Sequence, residues 1–189
     1  MKKIGWIGIA LLCWTLGLAH VFAQEEPPPC APEPEGYRME KYHAPTPMTL
    51  KGATVIDTEQ AFDLWTRKAA VFIDAIVKQK RPADLPADKP WSAEARRDIP
   101  GSLWLADTGF GELSPDAQRY FEKGLARATG GDKAKPTVFY CRTNCWASWN
   151  AGKRAMTLGY TNIYWYPAGA DAWEKAGHAL EEKEPALSE

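Results

Sequence analysis

The chain has 189 residues, 23 basic and 24 acidic, with nine tryptophans, four cysteines and three histidines. A net charge of −1 provides no basic face for nucleic acid. The cysteines are too few for a disulfide-stapled miniature, and the length suits one ordinary domain with flanking segments.

Lys2 and Lys3 precede an apolar run from Ile4 to Phe22, and Val21-Phe22-Ala23 resembles a cleavage site. The pattern predicts a secretory signal over 1–23, cut after Ala23. An uncleaved membrane anchor is the competing reading. Bulky Leu12 argues against a lipid anchor on Cys13. Cleavage would remove two lysines and no acid, leaving 21 basic against 24 acidic residues. The expected product is periplasmic, without membrane insertion, and retains Cys30, Cys141 and Cys145. An odd count leaves one thiol without an intramolecular partner.

Residues 24–49 are proline-rich ("QEEPPPCAPEPEGY", "HAPTPM"), which disfavours helix and most sheet pairing. They read as an extended arm or tether carrying an exposed Cys30. His43 and His178 are the only histidines beyond the signal, so no histidine cluster forms a metal site. "ATVID" reads as a short strand. Asp57 or Thr58 caps a helix through "EQAFDLWTRKA", with Gln60 completing a capping box. "AAVFIDAIV" (69–77) is an apolar, β-branched run expected in a strand buried on both faces. Residues 78–99 are polar and proline-interrupted, a long loop suited to a lid or a binding segment. "IPGSLWL" leads into another strand. Ser114, Pro115 and Gly130 bracket a helix. "KPTVFYC" is the next buried strand, 148–158 a helix stopped by Gly159, "TNIYWY" a strand and "DAWEKAG" a last short helix. Alternation of this kind predicts an α/β fold, a mostly parallel central sheet flanked by helices in a single domain. Gly109-Phe110-Gly111 lacks the strand–helix setting of a dinucleotide fingerprint.

Cys141 directly follows the strand "TVFY", and ligands of open α/β sheets bind beyond the carboxyl ends of strands. The loop 142–147 precedes the helix. Its N–H groups and the helix N-terminus favour an anion such as a thiolate. Arg142 adds positive charge, and Lys153 and Arg154 are further candidates. Cys141 is therefore the expected nucleophile. The anion or substrate loop is Arg142, Thr143, Asn144, Trp146, Ala147 and Ser148, interrupted by Cys145. Two cysteines four apart can reach disulfide range. The pair is open to three readings: thiol–disulfide exchange with a partner, sulfur transfer, or a structural brace. Two local ligands argue against a metal, and no histidine follows Cys145 for haem attachment. Trp146 and Trp149 can cover the thiols or simply pack. Trp65, Trp104, Trp165 and Trp173 are expected to pack. Asp74 is read as structural or near the site, and Arg96 and Arg97 as a solvated charge run by default, with reach into the pocket from the long loop as the alternative.

The order "VFIDA", "DIPGSLWL", "VFYC", "SWNAGKRAMTLGY", "NIYWYPAGADAWEKAG" resembles the rhodanese-like domain over 50–180, leaving 181–189 as a charged tail. Cys141–Cys145–Trp146 further resembles the Cys-x-x-x-Cys-Trp motif of an exported subgroup associated with PQQ-dependent alcohol catabolism. The resemblance implies a sulfurtransferase with Cys141 carrying a persulfide, no bound cofactor, and a sulfur donor or thiol protein as partner, including components of a PQQ-dependent oxidation or transport system. A persulfide on Cys141 can be attacked by Cys145, releasing sulfide. Three departures stand out. The interval from Cys141 to Gly159 is one residue longer than in many single-domain rhodaneses. Cys145 and Trp146 sit where small or polar residues are usual. Asp74-Ala75-Ile76 lacks the usual Asp-x-Arg arginine. Ala147 and Ser148, where related phosphatases carry arginine, disfavour phosphatase chemistry. These departures also motivate an alternative: a non-catalytic binding or accessory module of the same oxidation system.

Overall fold

A computed structural model describes residues 30–186. The expected signal 1–23, the start of the arm (24–29) and residues 187–189 lie outside the described residues. No described helix is long and apolar enough to cross a membrane.

Five strands form a parallel sheet: β1 (Thr54–Val55), β2 (Val71–Asp74), β4 (Leu103–Trp104), β5 (Thr137–Tyr140) and β6 (Ile163–Tyr166), in the order β1-β6-β5-β2-β4. β5 is central, with Val138 opposite Phe72 on one side and Tyr164 on the other. Successive side chains enter opposite layers, as a pleat requires. Ile73 and Phe139 pack with Phe121 and Leu125 of α2 (Pro115–Thr129) and Ala151 and Ala155 of α3 (Trp146–Thr157). Phe72, Val138 and Tyr140 pack with Ala61 of α1 (Thr58–Thr66) and Trp173 of α4 (Gly169–Lys175). Burial on both faces explains why the strands read as continuous apolar runs.

The helix ends follow from local chemistry. Asp57 and Gln60 form a reciprocal capping box on α1. On α2, Ser114 accepts from the Ala117 N–H, and Gly130 closes the helix at φ 67°.

Two regions differ from the sequence reading. The loop 78–99 contains β3 (Arg96–Asp98), and the tail contains β7 (Glu181–Lys183). The two pair antiparallel as a separate ribbon. Among its described residues, 30–49, the arm carries no helix or strand, yet it lies along α3. Asn150 accepts from the Arg38 N–H and donates to its carbonyl. The Trp146 and Trp149 indoles donate to the carbonyls of Pro45 and Thr49.

Candidate functional site

β5 ends at Tyr140, so Cys141 emerges at the carboxyl edge of the sheet. Its carbonyl accepts from the Ala170 N–H at 3.0 Å and from Arg96 Nη2 at 3.4 Å. The close approach of α4 requires Gly169, at φ 60°, where a Cβ would fall 2.7 Å from the Cys141 oxygen. Three exposed residues, Arg142, Thr143 and Asn144, turn the chain, with Asn144 at φ 55°, a conformation asparagine tolerates. Cys145 is then the N-cap of α3. The helix starts two residues before the expected 148, so Trp146, Ala147 and Ser148 belong to its buried first turn rather than to an anion loop. Trp146 packs edge-on against Trp149 at 5.5 Å, beneath Arg38. Ser148 Oγ accepts from the Trp165 indole.

Cys141 and Cys145 are joined in a disulfide. Cys141 is wholly buried, whereas Cys145 is 8 % exposed and lines a cleft of about 660 Å³. Ile76, Trp104, Phe110, Arg142, Asp171 and the segments 76–80 and 94–97 shape that cleft. The expected donors to an anion are largely committed. The Trp146 N–H donates to the Tyr42 carbonyl at 2.8 Å, and the Thr143 N–H to Asp171 at 3.1 Å. Lys153 and Arg154 do not join the cysteines. Lys153 donates to the carbonyls of Pro34 and Glu35, and Arg154, 4 % exposed, donates to those of Thr108, Phe110 and Gly111. Burial lowers the pKa of Arg154.

Reading Arg96 and Arg97 as solvated holds for one of them. Arg97 forms an exposed pair with Glu174. Arg96 turns inward, 2.6 Å from Asp74 and 2.9 Å from Asp98. It supplies, from the long loop, the arginine that the Asp74-Ala75-Ile76 segment lacks. Asp74 also accepts from the Ile76 N–H. Asp98 is fully buried, and neither oxygen has a hydrogen-bond donor despite its nearness to Arg96. The Arg96 Nε–H is spent on Asp74. Asp98 is accordingly pushed up to about 8, by burial first and then by Asp74, against the pull of Arg96. Neutral Asp98 can donate its O–H as a hydrogen bond to Asp74, leaving Asp74 the one ionised carboxylate before the guanidinium.

The sequence reading also passed over His43. It stands opposite Cys145 in an isolated antiparallel bridge and lines the same cleft. For Arg96 a signal existed: a buried strand aspartate needs a cation, and the basic pair before Ile-Pro-Gly is available. For His43 no local signal exists, since it lies a hundred residues upstream. Among the described residues, no group of three or more His, Cys, Asp or Glu is placed to hold a metal ion.

A parallel sheet delivering a cysteine turn to a buried helix N-terminus, beside a cleft, defines a single-domain α/β protein built around a thiol site. The rhodanese-like domain model matches residues 50–176, and the chain belongs to that family. No curated protein matches the chain. Among solved structures it is similar to a polysulfide-sulfur transferase homodimer from Wolinella succinogenes (19 % identity, 71 % of this chain, 82 % of that one, TM-score 0.45). It is also similar to a human single-domain sulfurtransferase (20 %, 65 %, 96 %, TM-score 0.40). A thiosulfate sulfurtransferase from Pseudomonas aeruginosa is similar as well (18 %, 72 % of this chain, 22 % of that one, TM-score 0.46).

Proposed function

We propose that this is an exported rhodanese-like protein of the Cys-x-x-x-Cys-Trp type, which accepts sulfur on Cys141 and resolves it with Cys145. It would serve PQQ-dependent alcohol oxidation in the periplasm. The observation that carries this reading is the Cys141–Cys145 disulfide at the carboxyl edge of the sheet, with one sulfur on a cleft. In the reduced protein the Cys141 thiolate attacks the outer sulfur of a persulfide, polysulfide or thiosulfate. The donor's S–S bond breaks, its remainder leaves with the electron pair, and Cys141 holds a persulfide. Cys145 then attacks the inner sulfur. A Cys141–Cys145 bond forms, hydrosulfide departs with the thiol proton, and a partner dithiol restores the pair. No bound cofactor is needed for these steps.

The test is intact mass of the Cys145→Ser variant after exposure to polysulfide or thiosulfate. One added sulfur on Cys141 is expected, with sulfide release only from the wild type. No persulfide with any donor would sink the sulfur-transfer reading. Export is checked separately: the periplasmic protein should begin at Gln24.

The second reading, a non-catalytic accessory module, is favoured by the complete burial of Cys141 and by the Tyr42 carbonyl on the helix N-terminus. Under it, Cys141→Ser and Cys145→Ser strains grow on alcohols like the wild type. Under sulfur transfer both fail while the protein folds.

A further inference from the structure

The cycle above needs a step that reopens the disulfide, and the inference here rests on that reading. The two sulfurs are not equivalent to an incoming thiol. Cys141 is sealed beneath the sheet edge, while Cys145 faces the cleft. The residue opposite Cys145 is a histidine on the arm. The bridge hydrogen bonds run from the Ala44 N–H to the Asn144 carbonyl and from the Trp146 N–H to the Tyr42 carbonyl. Both belong to the flanking residues, so His43 and Cys145 form a non-hydrogen-bonded antiparallel pair. Such pairs bring Cα atoms to about 4.5 Å and put both side chains on one face. That face is the cleft, which both residues line. Imidazole is the side chain suited to moving protons near neutrality.

We propose that Cys145 is the sulfur attacked by a partner dithiol, and that His43 is its proton carrier. His43 takes the proton of the first partner thiol. The resulting thiolate bonds to the Cys145 sulfur, the Cys141–Cys145 bond breaks, and Cys141 leaves as a thiolate at the end of β5. The partner's second thiol attacks its own sulfur in the mixed disulfide and passes its proton to Cys141. Cys145 departs and receives the proton held on His43. Two electrons move from the partner dithiol to the cysteine pair, and the partner leaves as a disulfide. The cleft admits this partner between apolar walls, Ile76, Trp104 and Phe110, and a rim of mixed charge in which Lys78, Lys80 and Arg142 stand with Glu94, Asp171 and Glu174.

The experiment uses the oxidised full-length secreted protein. A monothiol probe, glutathione, followed by an N-ethylmaleimide quench that caps the freed thiol, traps the first adduct, and peptide mapping should place it on Cys145. An adduct on Cys141 overturns the order. With dithiothreitol as reductant, His43→Gln should open the disulfide about ten-fold or more slowly. A wild-type rate overturns the role of His43. His43→Gly should regain speed when free imidazole is added. A slow variant that imidazole does not rescue assigns His43 to holding the arm and overturns proton transfer. Failure of sulfur transfer is read independently, from the persulfide mass on Cys145→Ser. Opening through Cys145 in a protein that never takes up sulfur would preserve this inference and reject that function.

Discussion

Two carboxylates share one arginine beneath the cysteine turn. Removing the cation as Arg96→Met leaves Asp74 buried and uncompensated, at a cost of about 3–5 kcal/mol. The loss is measured by urea unfolding, and the Cys141 carbonyl also loses a donor. Asp98 has its own signature. Its pKa is about 8 in the fold against 3.8 ordinarily. Below the ordinary value both folded and unfolded chains hold the proton, and the contribution to stability is complete. Between about pH 4 and 8 only the unfolded chain ionises, so this contribution falls as pH rises through the folded value. Asp98→Asn keeps a donor for Asp74 and carries no charge. Its stability relative to the wild type should rise from pH 5 to pH 8.5, as judged from urea midpoints. An equal gap at both pH values would contradict the shared proton.

At the scale of elements, the arm and α3 are one unit. Trp146 and Trp149 are buried because the arm lies over them and its carbonyls accept hydrogen bonds from their indole N–H groups. Deleting residues 24–45 should expose much of Trp146 and destabilise by about 2–3 kcal/mol, with the emission maximum moving to the red. Gly169→Ala should cost more than an ordinary surface change, since the new methyl meets the Cys141 and Arg142 backbones. Thermal unfolding by circular dichroism ranks these variants. The caps of α1 and α2 were legible because the capping residues sit within a turn of what they cap. The sheet strands were legible because both faces are apolar. β3 and β7 were not. Their residues, "RRD" and "EEK", carry no apolar pattern, and only tertiary pairing makes them strands. The start of α3 was misread because nothing local marks it: Cys145 gives no side-chain cap, and the Trp146 N–H is satisfied from residue 42. Of the site, the position of Cys141 could be read from the strand before it. His43 could not be assigned, because its partner is far away in the chain, whereas for Arg96 the unpaired Asp74 was a signal that did not distinguish it from Arg97.

For the molecule as a whole, the disulfide closes a loop of five residues, and chain-entropy reasoning gives it only about 2 kcal/mol. A domain with helices on both faces of a buried sheet has other sources of stability. Reduction should therefore lower the melting temperature by several degrees and leave the fold intact, which calorimetry with and without reductant checks. Collapse on reduction would make the bond a brace. The arm carries another consequence, one of timing. Arg38 meets its partner Asn150 across 112 residues, and a chain made or threaded from its N-terminus presents the arm first. It must wait, proline-rich and unpaired, until α3 has formed on the sheet. Long-range closure of this kind comes late in folding. The imidazole facing Cys145 would thus arrive last, and each molecule would spend its youngest moments as a thiol protein without its proton carrier.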